Sequence, residues 1–261
     1  MATRFDSWEA YFYPPPDHRT LRNLFDERDP FILARLEYAE TGRRERELRL
    51  GEVVVPQTYD AAHLRAIHRH LFQDVYEWAG EYRTVDMSKG QHTFASVHIH
   101  PSEVEFALDR ASEVVRSTDW QRADRAQFAQ GMAEVFAWTN AAHPFRDGNG
   151  RTAKLFLAQV AEQSRFDLDL AGVDPRAWNL MSAATMPRQG EGKIRPDVMA
   201  NWFKDLIVER PERVTPVSAT PQSAERLAAA RKQFEQRRDQ RPDVHGESHG
   251  TGSPRRPGPQ L

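Results

Sequence analysis

Apolar side chains recur every three or four positions along most of the first 210 residues, the spacing that lays a single stripe along a helix. Leu64, Ile67 and Leu71 share one face of a segment opened by Asp60. Val104, Leu108, Ala111 and Val115 share one in a segment opened by Ser102, with Glu105 in the capping-box position. Asp29-Pro30 precedes Ile32, Leu33 and Leu36, and Asp174-Pro175 precedes Trp178 and Met181; each pair puts a capping carboxylate before a proline at the first helical position. Phe128, Met132, Val135 and Phe136, the run from Leu155 to Val160, and Met199, Trp202, Phe203 and Leu206 repeat the spacing. The pattern breaks over Tyr82 to Ile99, rich in Thr, Val and aromatics with Lys89-Gly90 near its middle, which reads as a hairpin. The prediction is a mainly α fold of roughly seven to nine helices with one short β-hairpin.

From about residue 211 the stripe fades. The last 51 residues hold 7 of the 17 prolines and few large apolar side chains, so 1–210 reads as one domain and 211–261 as a flexible, charged, Pro/Gly-rich tail. Within the tail, 223–240 has good helix formers and few apolar anchors, as expected of a solvated helix that docks only on a partner. Charge then narrows the function. With 36 Lys+Arg against 38 Asp+Glu the net charge is −2, which disfavours direct nucleic-acid binding. The absence of cysteine excludes a disulfide framework, a thiol nucleophile and a Cys zinc site. No apolar run nears the roughly 18 residues of a membrane helix, and Met1 to Asp6 lacks a basic-then-apolar signal, so a soluble cytoplasmic protein is expected.

Candidate chemistry is concentrated in one string between two amphipathic segments, His143-Pro144-Phe145-Arg146-Asp147-Gly148-Asn149-Gly150-Arg151-Thr152-Ala153-Lys154. Gly148, Asn149 and Gly150 let successive N–H groups point into one concavity where the next helix begins, which makes an anion nest at a positive dipole end. Arg151 in the first turn and Lys154 three residues on can converge on a polyphosphate. Asp147 supplies one hard oxygen, as Mg²⁺ on phosphates requires. The neutral imidazole of His143 can accept a proton near pH 7, with Pro144 and a buried Phe145 to hold it. A Gly-Asn-Gly turn alone would favour an ordinary helix connection; the whole string does not.

This string closely resembles the Fic family signature, H-x-F-x-[DE]-G-N-G-R-x-x-R, at every fixed position but the last. Tyr11-Phe12-Tyr13-Pro14, Leu21-Arg22-Asn23 and the run from Leu71 to Arg83 resemble landmarks of bacterial Fic toxins, and the similarity spans about 8–208. The resemblance implies a Fic-type helical bundle with a β-hairpin flap at about 82–99, and transfer of AMP from ATP to a Tyr, Ser or Thr hydroxyl of a target protein, with release of pyrophosphate. It makes His143 the base, Asp147 the Mg²⁺ ligand, Phe145, Gly148, Asn149, Gly150, Arg151 and Lys154 the nucleotide site, and Lys89, Gly90 and Phe94 the flap that docks the target. It also implies a toxin restrained by a small antitoxin carrying an inhibitory Glu helix, with type II topoisomerase ATPase subunits as targets by analogy. No inhibitory [ST]-x-x-x-E-[GN] string is found in the chain: Thr41 to Glu45 is followed by Arg46, and Glu191-Gly192 is preceded at the required distance by Pro187.

Lys154 departs from the signature, because a lysine keeps the charge and loses the arginine fork. Transfer of another nucleotide or a phosphoryl group, or a weakly active Fic-fold binding protein, are the alternatives; Gly150 argues against the phosphoryl-transferring Doc branch, which has a Lys there. His92, His98 and His100 form a weak metal candidate, while His63, His68 and His70 share no helical face and read as solvated. Trp78, Trp138 and Trp202 read as core.

Overall fold

The computed structural model describes residues 5–98, 102–187 and 193–210. Met1–Pro211 make up one compact unit; the tail at 211–261 and the helix expected at 223–240 lie outside the described residues, as does His100. In chain order the elements are α1 (Pro30–Leu50), α2 (Ala61–Phe72), β1 (Ser88–Lys89), β2 (His92–Thr93), α3 (Glu103–Ser117), α4 (Arg125–Ala142), α5 (Asn149–Ala161), β3 (Phe166–Leu168), α6 (Pro175–Thr185), α7 (Pro196–Leu206) and β4 (Ile207–Glu209). The fold is mainly α, with seven α-helices among the described residues and the short antiparallel hairpin β1–β2.

The caps explain where several helices start. Asp29, Asp60 and Asp174 accept backbone N–H groups of the first turns of α1, α2 and α6, and Asp124 and Gln127 form a reciprocal capping box at α4. The box expected at Ser102 is absent, since its side chain makes no capping bond. Instead Glu103 turns back and accepts the Ser96 N–H at 2.8 Å, tying the start of α3 to the exit of the hairpin.

Helix α4 is the axis of the core. Phe128, Met132, Val135 and Phe136 are buried on it, and it packs against α3, α7, α5 and α6. A second strand pair, β3 with β4, joins Phe166 to Glu209 and Leu168 to Ile207 and packs on α5. That pair extends the expectation of a single β element. An aromatic N-terminal segment covers the other side: Tyr11 is buried, stacks on Phe5 at 5.0 Å and meets Trp78 edge-on at 6.0 Å. Among the described residues no helix is long and apolar enough to cross a membrane.

Candidate active site

The reactive loop begins where α4 ends. His143 caps the helix in the left-handed region, φ 41° and ψ 57°, its N–H still bonded to the Thr139 carbonyl. Such a conformation is strained for a residue with a Cβ, and the neighbours hold it there. Phe94 from the hairpin exit stacks on the imidazole at 3.8 Å. Nδ1 of His143 is enclosed, and although the Asn140 carbonyl lies close enough to oppose its pKa shift, no hydrogen bond of good geometry forms. The pKa is pushed down to about 3, first by burial and then by the cations Arg83 and Lys89. The ring is therefore neutral at pH 7, with Nδ1 the enclosed nitrogen.

The loop is braced from beneath by α2. His68 Nδ1 accepts the Gly80 N–H at 2.8 Å, so Nε2 carries the proton and donates to the Asp147 carbonyl at 3.0 Å. Burial is the main cause of its pKa falling to about 3, which keeps this bridge uncharged. The Phe145 ring lies flat on His68 at 3.8 Å and is wholly buried, so it orders the loop and presents no face to a ligand. Asn149 closes the turn: its Oδ1 accepts the Phe145 N–H at 2.9 Å and its Nδ2 donates to the Phe145 carbonyl at 2.7 Å. What Asn149 can offer an anion is backbone. Gly148 takes φ +79° with Phe72 only 2.3 Å from where a Cβ would stand. The first turn of α5 starts there, and Gly150 is exposed.

Arg151 and Lys154 lean on different neighbours. Arg151 Nη2 pairs with Glu37 on α1, Nη1 donates to Thr41 at 3.2 Å, and the guanidinium sits 4.6 Å from the Phe72 ring centroid. Glu37 is only 7% exposed, and its second oxygen accepts the Tyr76 hydroxyl. Lys154 Nζ lies over the Trp178 ring of α6 at 4.6 Å; burial lowers its pKa and Glu45 opposes the shift. Asp147 uses Oδ1 to accept the Gly148 N–H at 2.5 Å, and Arg151 is 3.7 Å from the same oxygen. Its side chain is 47% exposed, and Oδ2 makes no hydrogen bond among the described residues. A single hard oxygen at the rim of an anion nest fits a magnesium ion that draws its other ligands from phosphate and water.

In the hairpin, Ser88 pairs with Thr93 and Lys89 with His92, and Gly90 turns the chain at φ +62°. Lys89 is exposed, whereas Phe94 is buried against His143. The other histidines depart from expectation. His63, His68 and His70 are all buried, because α1, α5 and α3 pack against α2 on these sides, while Ala62, Arg65 and Arg69 face solvent. His63 meets Gln159 at 2.5 Å, and His70 bonds the Arg44 carbonyl at 3.2 Å. His98 is exposed, and no group of three metal-ligating side chains occurs among the described residues. Trp78 is core, while Trp138 and Trp202 are partly buried against it.

Sequence reasoning missed Glu37, His68 and Arg146 as parts of the site. Arg146 is held over Trp8 at 4.0 Å and Phe12 at 5.0 Å, which binds the loop to the N-terminal segment. Its signal was faint: an Arg inside the loop and an aromatic cluster far upstream.

Residues 58–161 match the Fic/DOC family. The probable protein adenylyltransferase y4lH of Sinorhizobium fredii is 36% identical over 132 residues, covering 50% of this chain and 67% of that protein. The probable protein adenylyltransferase Fic of Escherichia coli is 30% identical over 181 residues, covering 69% of this chain and 86% of its own. Among solved structures, the N-terminal Fic domain of a VirB-translocated Bep effector protein from Bartonella quintana, with bound ADP, superposes with a TM-score of 0.65 at 27% identity. The match covers 77% of this chain and 95% of that one.

Proposed function

The chain belongs to the Fic/DOC family, and from that premise we propose that it is a protein adenylyltransferase that moves AMP from ATP to a hydroxyl side chain of a target protein. The observation that carries the reading is His143: one ring nitrogen enclosed, the ring stacked on Phe94, and the phosphate nest of α5 five residues away in the same loop. The target oxygen attacks the α-phosphorus as Nε2 of His143 takes its proton. The bond from that phosphorus to the bridging oxygen breaks, and pyrophosphate leaves. Gly148 makes the turn with its N–H held by Asp147, backbone N–H groups at Asn149 and Gly150 face the phosphates, Arg151 braces them, and Lys154 takes the outer position. Such transfers depend mainly on positioning and on charge stabilisation.

Asp147 would hold a magnesium ion, which when bound would supply positive charge to the phosphates. Lys89 and Gly90 offer the flap edge to an extended target segment by strand addition, with Phe94 beneath it. Cytoplasm, where ATP is plentiful, is the proposed compartment. We further infer a toxin restrained by a separate small antitoxin. Thr41, in the string closest to an inhibitory motif, donates to the Glu37 carbonyl and accepts from Arg151, and Arg46 follows Glu45 where that motif needs Gly or Asn. Co-expression with small proteins encoded next to the chain should suppress activity, and failure of all of them would remove the antitoxin. ATPase subunits of type II topoisomerases are the first targets to test, by analogy with the family's toxins.

The direct test incubates the purified chain with Mg²⁺ and host lysate, using α-labelled and γ-labelled ATP in parallel with His143→Ala. A protein band labelled only from the α position and lost in the variant is expected, and it would yield the target. Label only from the γ position would establish phosphoryl transfer instead.

A further inference from the structure

Arg83 is 2% exposed, and no carboxylate among the described residues hydrogen-bonds to it; the nearest oxygen, on Asp86, is 3.9 Å from Nη1. A guanidinium removed from water needs acceptors in place of solvent. Here they are backbone carbonyls. Nε donates to His143 at 2.8 Å, Nη1 to Val85 at 2.7 Å, and Nη2 to Ala142 at 3.2 Å and to Ala95. The Arg83 N–H adds a bond to the Pro144 carbonyl at 2.8 Å. Val85 enters the hairpin and Ala95 leaves it, whereas 142–144 are the end of α4 and the start of the reactive loop. The Ala95 N–H donates to the Ala141 carbonyl at 2.9 Å, a second tie between the same two segments.

We propose that Arg83 is a positioning residue that locks the hairpin and His143 into one rigid piece, so that a target segment pairing with the hairpin arrives in register with the base. The proposal rests on the reading of His143 as base and of the hairpin as docking strand. The carbonyl that Nε holds belongs to the residue in the left-handed conformation, so the fork also fixes the imidazole's direction. A lysine at this place keeps the charge but cannot span four carbonyls from one point. Nothing in the arrangement touches the phosphate nest, so nucleotide binding should be insensitive to it.

The test uses the full chain as wild type, Arg83→Lys, Arg83→Met and His143→Ala. Hydrogen exchange is read by mass spectrometry, and transfer from α-labelled ATP to the His143-dependent band in host lysate is read as a function of ATP concentration. For Arg83→Lys we expect kcat about a hundredfold lower, the cost of a displacement near an ångström, with KM for ATP unchanged. Exchange should accelerate together in 85–95 and 141–145, while α1 and α7 keep their protection. Arg83→Met should exceed both effects; if it does not fold, Arg83→Lys decides. Wild-type kcat and exchange in Arg83→Lys would overturn the proposal, as would acceleration confined to one segment, or a raised KM for ATP with kcat intact. Labelling that survives His143→Ala would instead remove the base assignment, and the exchange result would still decide the lock.

Discussion

The reactive loop at 143–151 and the hairpin at 88–93 are neighbours built on opposite principles. In the loop the groups that shape the turn have fixed partners, His68 holding Asp147, Asn149 holding Phe145 and Glu37 holding Arg151, while His143 Nδ1 and Arg146 Nε have none among the described residues. The hairpin has a ladder of two residue pairs and exposed side chains. A site that stabilises charge in a transition state benefits from groups set in advance, because reorganisation then costs little at the moment of reaction. A site that receives many possible strands benefits from an open edge. On the proposed function the difference separates the part that carries chemistry from the part that carries recognition, and glycine makes it measurable, since both regions contain one at positive φ.

The largest effect should come from Gly148→Ala. Its Cβ would stand 2.3 Å from two atoms of the Phe72 ring, itself wholly buried, and 3.2 Å from His68 Nε2. Backbone strain and overpacking together should cost roughly 3 to 5 kcal/mol of stability. Thermal unfolding should show a large fall in Tm, and the folded fraction should transfer no AMP. A Tm near wild type would mean the loop yields as readily as the hairpin.

Glu37→Gln probes the brace beneath Arg151. The amide fits the same space and can still accept from Arg151, but the charge-assisted part of two hydrogen bonds is lost, about 2 kcal/mol. Stability should fall by that order and KM for ATP should rise more than kcat falls, because the phosphate clamp loosens while His143 is untouched. An unchanged KM would show that Arg151 is positioned by its own helix alone.

Glu37 also shows what the chain disclosed in advance and what it concealed. The loop was legible because its parts lie within a dozen consecutive residues and each residue type has one plain chemical use. Most helices were legible from their stripes and from Asp caps at 29, 60 and 174, since both are local, but in α1 the apolar Ile32 and Leu36 are exposed and Glu37 and Thr41 are buried with Leu33. The Glu37–Arg151 pair spans 114 residues and Arg83 reaches His143 across 60, and no periodicity reports such distances. Strands β3 and β4 are three residues each and too short to show alternation. Buried histidines on α2 were misread because helices distant in sequence cover it on several sides and leave only the narrow stripe of Ala62, Arg65 and Arg69 to solvent.

Acid pH sharpens the comparison through His143. Its folded-state pKa lies far below the ordinary 6.5, so between those values the unfolded chain binds the proton and the folded one does not; stability is lost as pH falls below about 6.5. For catalysis the sign is favourable. An exposed histidine would keep about a quarter of its neutral form at pH 6, whereas this one stays neutral. The acid limb of kcat/KM, which reports the free enzyme, should therefore lie well below pH 6.5. A limb at 6.5 or above would show that the ring beside Phe94 is open to water, as the hairpin edge is.

Gly90→Ala should have the smallest effect. Its φ of +62° makes any side chain costly by about 1 to 2 kcal/mol, yet nothing lies within 4 Å of the added methyl. The strain falls on a turn that can open without disturbing the core, so the global transition need not report it. Tm should stay close to wild type. The cost should appear instead as a rise in KM for the protein target, with kcat and KM for ATP unchanged, because the docking edge is distorted and the base and nest are not. A fall in kcat would mean that the tip of the hairpin transmits to His143, and the separation of recognition from chemistry would then stop at residue 90 rather than lie between hairpin and loop.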